Sequence, residues 1–376
     1  MIPFNKPHMT GRETEYIRQA VASGKISGNG VFTKRCQSFF EERYGFGKCL
    51  LTTSCTDALE MAAILSGVGQ GDEVIVPSYT FVSSALAFVR QGAKIVFCDS
   101  GKENPNIDPA EVEKLVTPRT KVIVPVHYAG VACDMDAIMD IADRHGLLVV
   151  EDAAQAVDSF YTGRDGVRRP LGSIGHLAAF SFHETKNIIS GEGGMLVVND
   201  PRFVRRAEII WEKGTNRAEF FRGEVNKYGW KDIGSSFLPS EIVAAFLWAQ
   251  LENLDDIQSR RLQLWNQYRA ELDDCAKAGG AQLPEVPAYA TNNAHMFYLV
   301  LPSLTARTSF IDWMRERGVM CVFHYLPLHS SDFYHEHHDG RDLPNCRRYS
   351  DCLVRLPLYY ELNVEEVCAQ SQMFLV

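Results

Sequence analysis

Four short apolar runs recur along the first half of the chain with helical patterns between them, and nothing else in the sequence restricts the fold as much. Asp72-Glu73-Val74-Ile75-Val76-Pro77, Ala93-Lys94-Ile95-Val96-Phe97-Cys98-Asp99, Lys121 to Val126 and Leu147-Leu148-Val149-Val150-Glu151-Asp152 each read as a strand. The spacing predicts helices from Ser83 to Gln91 and from Met135 to His145. Strand and helix in alternation give an α/β layer fold. Runs that are apolar at every position belong to a sheet covered on both faces, as parallel sheets are. In such sheets functional groups gather where strands end and helices begin, and Thr52, Tyr79, His127 and Asp152 stand at junctions of that kind.

At 376 residues the chain exceeds one ordinary core, so two domains are expected. From Glu241 to Leu272 the pattern predicts one long amphipathic helix, with Ile242, Ala245, Ala249, Leu254, Ile257 and Leu262 near one face. Gly279-Gly280 and the Pro284 to Pro287 region read as a linker, followed by strands near Met296 to Leu301 and Met320 to Tyr325. The division expected is a large domain of residues 1–250, including an N-terminal arm, and a small α/β domain of residues 251–376.

Several function classes are excluded early. No apolar stretch approaches the roughly 20 residues of a membrane span, and Met1 to Lys6 lacks the regions of a signal peptide. Ten cysteines without CxxC pairs or metal-ligand spacing read as reduced thiols, so a cytoplasmic location and no metal site are expected. A formal charge of −9 argues against nucleic-acid binding. No HExxH, Walker, GxGxxG or GxSxG pattern is present.

The chemistry points to Ser181-Phe182-His183-Glu184-Thr185-Lys186-Asn187, downstream of Glu151-Asp152-Ala153-Ala154-Gln155. Together they put a carboxylate at a strand end and a lone lysine on a later turn. That is the minimal equipment for holding pyridoxal 5'-phosphate: an amine to form the imine and an anion to keep the ring nitrogen protonated. The strand-like Leu177-Ala178-Ala179-Phe180 delivers Lys186 to an interior turn, and a glycine-rich loop leads on to the strand Met195 to Val198. Ser54, Cys55 and Thr56 open a helical stretch whose N-terminus can take a phosphate. Phe81 can offer a face to a planar ring. Each signal has an ordinary competitor: a solvated lysine, an Asp that caps a helix, hydroxyls that do the same, an aromatic that packs the core. His127, His183, His324 and His329 are candidates for acid–base or substrate roles, with a structural role as the competing reading.

Taken together, Asp152-x-x-Gln155, Ser181-x-x-x-x-Lys186 and Ser54-Cys55-Thr56 resemble the DegT/DnrJ/StrS sugar aminotransferases, of fold type I among pyridoxal-phosphate enzymes. The likeness runs from Ile2-Pro3-Phe4 through His324-Tyr325-Leu326-Pro327-Leu328-His329 to Leu356-Pro357-Leu358. It implies a large domain with a central, mostly parallel sheet plus a smaller C-terminal domain. Lys186 would carry the cofactor and later move a proton, Asp152 would pair with the ring nitrogen, and Gln155 would contact the ring hydroxyl. Ser181, Ser54, Thr56 and the backbone at Cys55 would hold the phosphate, and Phe81 would stack on the ring. His183, His324, Tyr325 and His329 would face substrate.

The resemblance further implies a ping-pong transaminase, homodimeric with shared active sites, that passes through pyridoxamine 5'-phosphate. Its donor would be L-glutamate and its acceptor a dTDP-linked keto sugar, dTDP-4-dehydro-6-deoxy-D-glucose. Amination at C4 would give dTDP-4-amino-4,6-dideoxy-D-galactose for a surface polysaccharide such as lipopolysaccharide O-antigen or enterobacterial common antigen. Val124 to Gly130, the lysine heptapeptide and Asp232 to Ser236 carry that finer likeness. Relatives that aminate C3 or use UDP-sugars, and a regulatory protein keeping the fold without the reaction, are the alternatives. Two departures stand out. Gly234-Ser235-Ser236-Phe237-Leu238 occupies the place of Gly-x-Asn-x-Arg, so that Ser236 replaces an asparagine that reaches the phosphate across the dimer, and Cys55 stands where glycine is usual.

Overall fold

The four apolar runs become four adjacent strands of one sheet, out to one of its edges. The computed structural model describes residues 1–376. Its strands are β1 (Lys48–Thr52), β2 (Glu73–Pro77), β3 (Lys94–Cys98), β4 (Thr120–Ile123), β5 (Leu148–Asp152), β6 (Phe160–Thr162), β7 (Arg168–Pro170), β8 (Leu177–Ser181), β9 (Gly194–Val198), β10 (Phe297–Val300), β11 (Val322–Phe323) and β12 (Leu353–Leu356). Seven of them form the large sheet in the order β1-β9-β8-β5-β4-β2-β3. The pairings among β2, β3, β4, β5 and β8 are parallel, while β9 runs antiparallel to both β8 and β1.

Neighbouring residues on these strands enter different cores. Leu51, Ile123, Val149 and Val197 belong to one apolar cluster, and Leu50, Val122, Val150 and Leu196 to another. Successive side chains on a strand point to opposite faces. A sheet with a core on each side therefore needs apolar residues at every position, which is the pattern of the sequence.

The predicted helix from Ser83 is observed as Ser83–Val89, and that from Met135 as Met135–His145. The single helix predicted from Glu241 to Leu272 is instead two, Glu241–Glu252 and Leu254–Ala278, interrupted at Asn253. There the backbone leaves helical geometry (φ −110°, ψ 14°), and the Asn253 side chain donates to the Ala249 carbonyl. The break has a packing cause. Leu254 and Ile257 still contribute to the first core, whereas Leu264, Tyr268 and Leu272 build a third cluster around the C-terminal sheet.

That C-terminal sheet has the order β10-β12-β11, all antiparallel. Its central strand β12 lies outside the two strands expected there. The N-terminal arm pairs with the segment that leads into β11: the Ile2 N–H donates to the Gly318 carbonyl at 2.7 Å, and Ile2 bridges Val319. No helix is long and apolar enough to cross a membrane.

Candidate active site

A cavity of about 910 Å³ opens at the C-terminal ends of the large sheet's parallel strands, the usual place for a site in such sheets. Ser181 and Asp152 reach it from the ends of β8 and β5, and Thr80 and Phe81 from the turn after β2. His324, Tyr325 and Arg355 close it from the C-terminal sheet.

One wall is the N-terminus of the helix Cys55–Ser66. Ser54 caps it by accepting from the Asp57 N–H at 3.1 Å. The N–H groups of Cys55 and Thr56 have no acceptor within the protein, so donors and the positive end of the dipole face the cavity. The strand behind them is bare: a side-chain carbon at Gly194 would lie 2.3 Å from the Ser54 carbonyl carbon and 2.4 Å from the Cys55 nitrogen. Thr56 Oγ1 lies 2.8 Å from Ser83 Oγ, and the buried Ser181 adds a hydroxyl. This cradle fits a phosphate.

Asp152 lies on the floor, 5% exposed. Ser84 Oγ donates to one carboxylate oxygen at 2.7 Å and the Ala154 N–H to the other at 3.1 Å. Burial nonetheless raises its pKa above the usual carboxylate value, the donors and the Lys186 charge offsetting only part. No cation forms an ion pair with it. A protonated ring nitrogen is the missing partner such a group fits.

Lys186 is brought to the same cavity by a tight turn in which its N–H donates to the His183 carbonyl at 2.9 Å. Its amine makes no hydrogen bond or ion pair. Burial lowers its pKa, and Asp152 and Cys55 restore only part of the shift. The amine is thereby closer to its nucleophilic, neutral form.

Gln155 is oriented by its neighbours. Its Oε1 accepts from the Ala129 N–H at 2.6 Å, and Nε2 donates to the Tyr325 hydroxyl at 3.2 Å. One Nε2 hydrogen is left for an oxygen on a bound ring. Phe81 is 55% exposed, its ring 6.3 Å from that of Tyr325, and a planar ligand between wall and floor would cover it. Tyr325 has positive φ (43°) and stacks on His324, whose Nδ1 lies 2.8 Å from the Tyr128 hydroxyl. Burial pushes the pKa of His324, and of the nearby His295, well below the usual imidazole value, so both are neutral at physiological pH.

The cavity thus gathers Lys186, Asp152, Gln155, Ser181, Ser54, Cys55, Thr56, Phe81, His183, His324 and Tyr325. Two residues expected at the site lie elsewhere in the chain's own subunit. Ser236 is on the surface and bridges Glu212, and His329 bonds Ser78 through Nδ1 at 2.7 Å behind the wall. His127 is also outside: it is fully buried against Glu151 (2.9 Å), which further accepts from the Gly172, Ile174 and Gly175 N–H groups. Its role is to hold the β5 region together. His295 and Arg355 also line the cavity, though neither belongs to a motif in the sequence. Arg355 had a readable signal, a single charge inside the apolar run Leu353 to Leu358.

An unpartnered, partly buried lysine, a buried carboxylate without a cation and a bare helix N-terminus, set on this sheet, define a pyridoxal-phosphate-dependent enzyme of the aminotransferase fold. Comparison with known proteins gives the particular family. The chain belongs to the DegT/DnrJ/EryC1/StrS aminotransferase family, whose profile matches residues 7–370, and it is a sugar aminotransferase of that family. It is 32% identical over 375 residues to the spore coat polysaccharide biosynthesis protein SpsC of Bacillus subtilis, covering 97% of this chain and 94% of SpsC. Among solved structures, the aminotransferase TlmJ from Streptoalloteichus hindustanus superposes with a TM-score of 0.90 at 29% identity, covering 100% of this chain and 99% of TlmJ. The PMP form of the sugar aminotransferase Spr1654 from Streptococcus pneumoniae also gives 0.90, at 25% identity, with 100% and 99% covered.

Proposed function

We propose that the enzyme moves the amino group of L-glutamate to C4 of dTDP-4-dehydro-6-deoxy-D-glucose, giving dTDP-4-amino-4,6-dideoxy-D-galactose for a surface polysaccharide. The observation that carries the transamination chemistry is that the free Lys186 amine and the unpaired Asp152 carboxylate line one cavity, close enough for their charges to interact. The likeness to a polysaccharide-biosynthesis protein supports the destination. When bound, pyridoxal phosphate supplies an electron sink for the carbon that gains or loses nitrogen.

Each residue then has a task. Asp152 would keep the ring nitrogen protonated, and Gln155 Nε2 would donate to the ring oxygen. Ser54, Ser181, Thr56 and the Cys55 and Thr56 N–H groups would hold the phosphate, and Phe81 would cover the ring face. Lys186 Nζ, with its pKa lowered by burial, would take a proton from the α-carbon of glutamate and pass it to the bound cofactor, and in the second half-reaction would take one back from the cofactor and deliver it to C4 of the keto sugar. His183, His324 and Tyr325 form the substrate side of the wall.

We also take the chain as two domains, residues 1–250 and 251–376, and as a homodimer. Support for the dimer comes from the segment around Ser236, where Trp230 is 84%, Phe221 66% and Ile233 55% exposed. A second copy would cover them, and Ser236 of the partner subunit would then be free to approach the phosphate.

The test is the second half-reaction. The pyridoxamine-phosphate form is mixed with a panel of nucleotide-linked keto sugars, and products are read by NMR. The C4 galacto amine from the dTDP-4-keto sugar is expected. An amine at C3, or a marked preference for UDP-linked sugars, would replace this substrate assignment.

A further inference from the structure

His295 stands in the cavity with a fixed tautomer. It is 8% exposed, lies two residues before β10 and lines the same cavity as Lys186. Its ring is tied to Asn187, the residue after the lysine, which is also buried. One atom of the Asn187 amide lies 2.8 Å from the Asn293 carbonyl and 2.8 Å from Gln258 Oε1. The other lies 2.9 Å from His295 Nδ1. A carbonyl oxygen only accepts, so the first atom must be the amide nitrogen and the second the amide oxygen. Nδ1 therefore carries a hydrogen and donates. Burial holds the imidazole neutral, and a neutral imidazole has one N–H. Nε2 is then an acceptor, and it has no partner in the chain.

The surroundings of the ring say which donor it suits. The charges acting on it are all positive: Lys186 on the turn after β8, Arg261 on the helix Leu254–Ala278 and Arg355 on β12. The remaining titratable neighbour is His324 after β11, itself neutral. Arg261 is committed to the Ala294 and His295 carbonyls, at 3.1 and 2.8 Å. Arg355 has the Phe323 carbonyl and the face of Phe4. Lys186 alone has no acceptor, and it is also the charge that bears most on His295. On His324 it ranks behind Arg355. A donor without an acceptor and an acceptor without a donor thus share one cavity, and Asn187 joins the segments that hold them.

We propose that His295 is a positioning residue for Lys186: its Nε2 accepts a hydrogen bond from the Lys186 ammonium while the amine is free of the cofactor. The role rests on the transaminase reading above. No proton passes to the imidazole. It stays on Nζ, steadied between the atom that gives it and the atom that takes it. An accepting neighbour favours the charged amine and so offsets part of the effect of burial. Because the same lysine works in both half-reactions, both depend on His295.

Two substitutions separate the ring's two nitrogens. His295→Asn puts an amide nitrogen in the place of Nδ1, keeping the bond to Asn187 and losing the lone pair in the cavity. His295→Gln reaches the place of Nε2 with an amide oxygen and gives up the bond to Asn187. The tautomer is read in the cofactor-free wild type from long-range proton–nitrogen NMR correlations, assigned by the signals missing from either variant. A hydrogen on Nδ1 and none on Nε2 is expected. The pH dependence of covalent pyridoxal-phosphate capture by the apoprotein, followed by absorbance, reports on the Lys186 amine. Its inflection should fall about 1–2 pH units in His295→Asn, and less in His295→Gln. In the holoenzyme, stopped flow should show the maximal rates of the glutamate and keto-sugar half-reactions both lowered about 10- to 150-fold by His295→Asn, the worth of a hydrogen bond to a charged group. Half-saturating concentrations should change less than roughly three-fold. His295→Gln should recover part of the rate. If His295→Asn fails to fold, the tautomer and His295→Gln decide, the latter staying within about 10-fold of wild type.

A hydrogen on Nε2 would overturn the proposal. So would equal losses in the two variants, which would reduce His295 to its link with Asn187, or unchanged rates and inflection. A defect confined to the keto-sugar step would overturn it too, giving the lone pair to a sugar hydroxyl. A wild-type holoenzyme inert toward glutamate would strike at the transaminase reading itself, an outcome distinct from these.

Discussion

Replacing Asp152 by asparagine should push two properties of the protein in opposite directions. In the cofactor-free protein the Asp152 carboxylate is a burden. It is 5% exposed, receives hydrogen bonds from Ser84 and Ala154, and still has its pKa raised above 3.8 by burial. A carboxyl raised in the folded state keeps its proton to higher pH than in the unfolded chain. Stability contributed by this group therefore falls as pH rises from 3.8 through the folded value, and the penalty is complete above it. Asparagine keeps the shape and a hydrogen bond to either neighbour, since the Ser84 hydroxyl can reverse. At neutral pH the variant should gain about 1 kcal/mol as apoprotein, the usual yield of removing an unfavourable active-site group. Spread over the unfolding entropy of a chain this long, that is roughly 1 °C in Tm. Cofactor binding should move the other way, weakening roughly 10- to 150-fold as a charge-assisted bond to the ring nitrogen is lost. Scanning calorimetry of the apoprotein and absorbance titration with pyridoxal phosphate measure the two. Unchanged cofactor affinity together with a less stable apoprotein would refute the reasoning, because Asp152 would then be a structural cap.

Lys186→Ala should abolish turnover, by at least about 100-fold for loss of the acid–base group alone, while pyridoxamine phosphate still binds in an absorbance titration. Lys186→Met should stabilise the apoprotein at neutral pH, because the folded state sheds that proton below the lysine's ordinary 10.5. The advantage over wild type should shrink as pH climbs toward that value, which a Tm series against pH will show. Gly194→Ala puts a carbon 2.3 Å from Ser54, so the helix N-terminus must shift. Overpacking of about 1–3 kcal/mol and a weaker phosphate contact should appear in denaturant midpoint and in cofactor affinity. Glu241→Ala removes a carboxylate that accepts from Gly30 at 2.9 Å, Phe32 at 2.8 Å and Thr33 at 3.0 Å, capping the helix Val31–Tyr44 from another helix. A loss of about 3 kcal/mol in urea unfolding is expected, with holoenzyme kinetics little changed.

What the sequence made legible follows from which forces act locally. The runs at β2, β3 and β5 could be read because a sheet buried on both faces demands apolar residues throughout, and their ends then located Asp152. Lys186 could be read from its apolar approach and glycine-rich exit. The break at Asn253 could not, since it answers to two cores that lie apart in sequence and meet on one helix. β12 was missed for a related reason: its partners β10 and β11 lie some 30 to 55 residues upstream in this numbering, and no hairpin turn announces it. With β12 unread, Arg355 could not be given a direction. Two of the four candidate histidines misled by proximity, while His183 and His324 do line the cavity. His127 stands at a strand end like Asp152, yet it points into the sheet's packing, where Glu151 holds it. His329 follows His324 closely, and one turn of chain carries it behind Ser78.

The central claim is that Lys186 is the amine that holds the cofactor in a working aminotransferase. Borohydride reduction of the pyridoxal-phosphate-loaded enzyme, followed by proteolysis and mass spectrometry, tests it most directly. The account predicts a single pyridoxyl modification, on Lys186, that disappears when the enzyme is first treated with L-glutamate. A modification on another lysine, or none in a fully loaded protein, would contradict it.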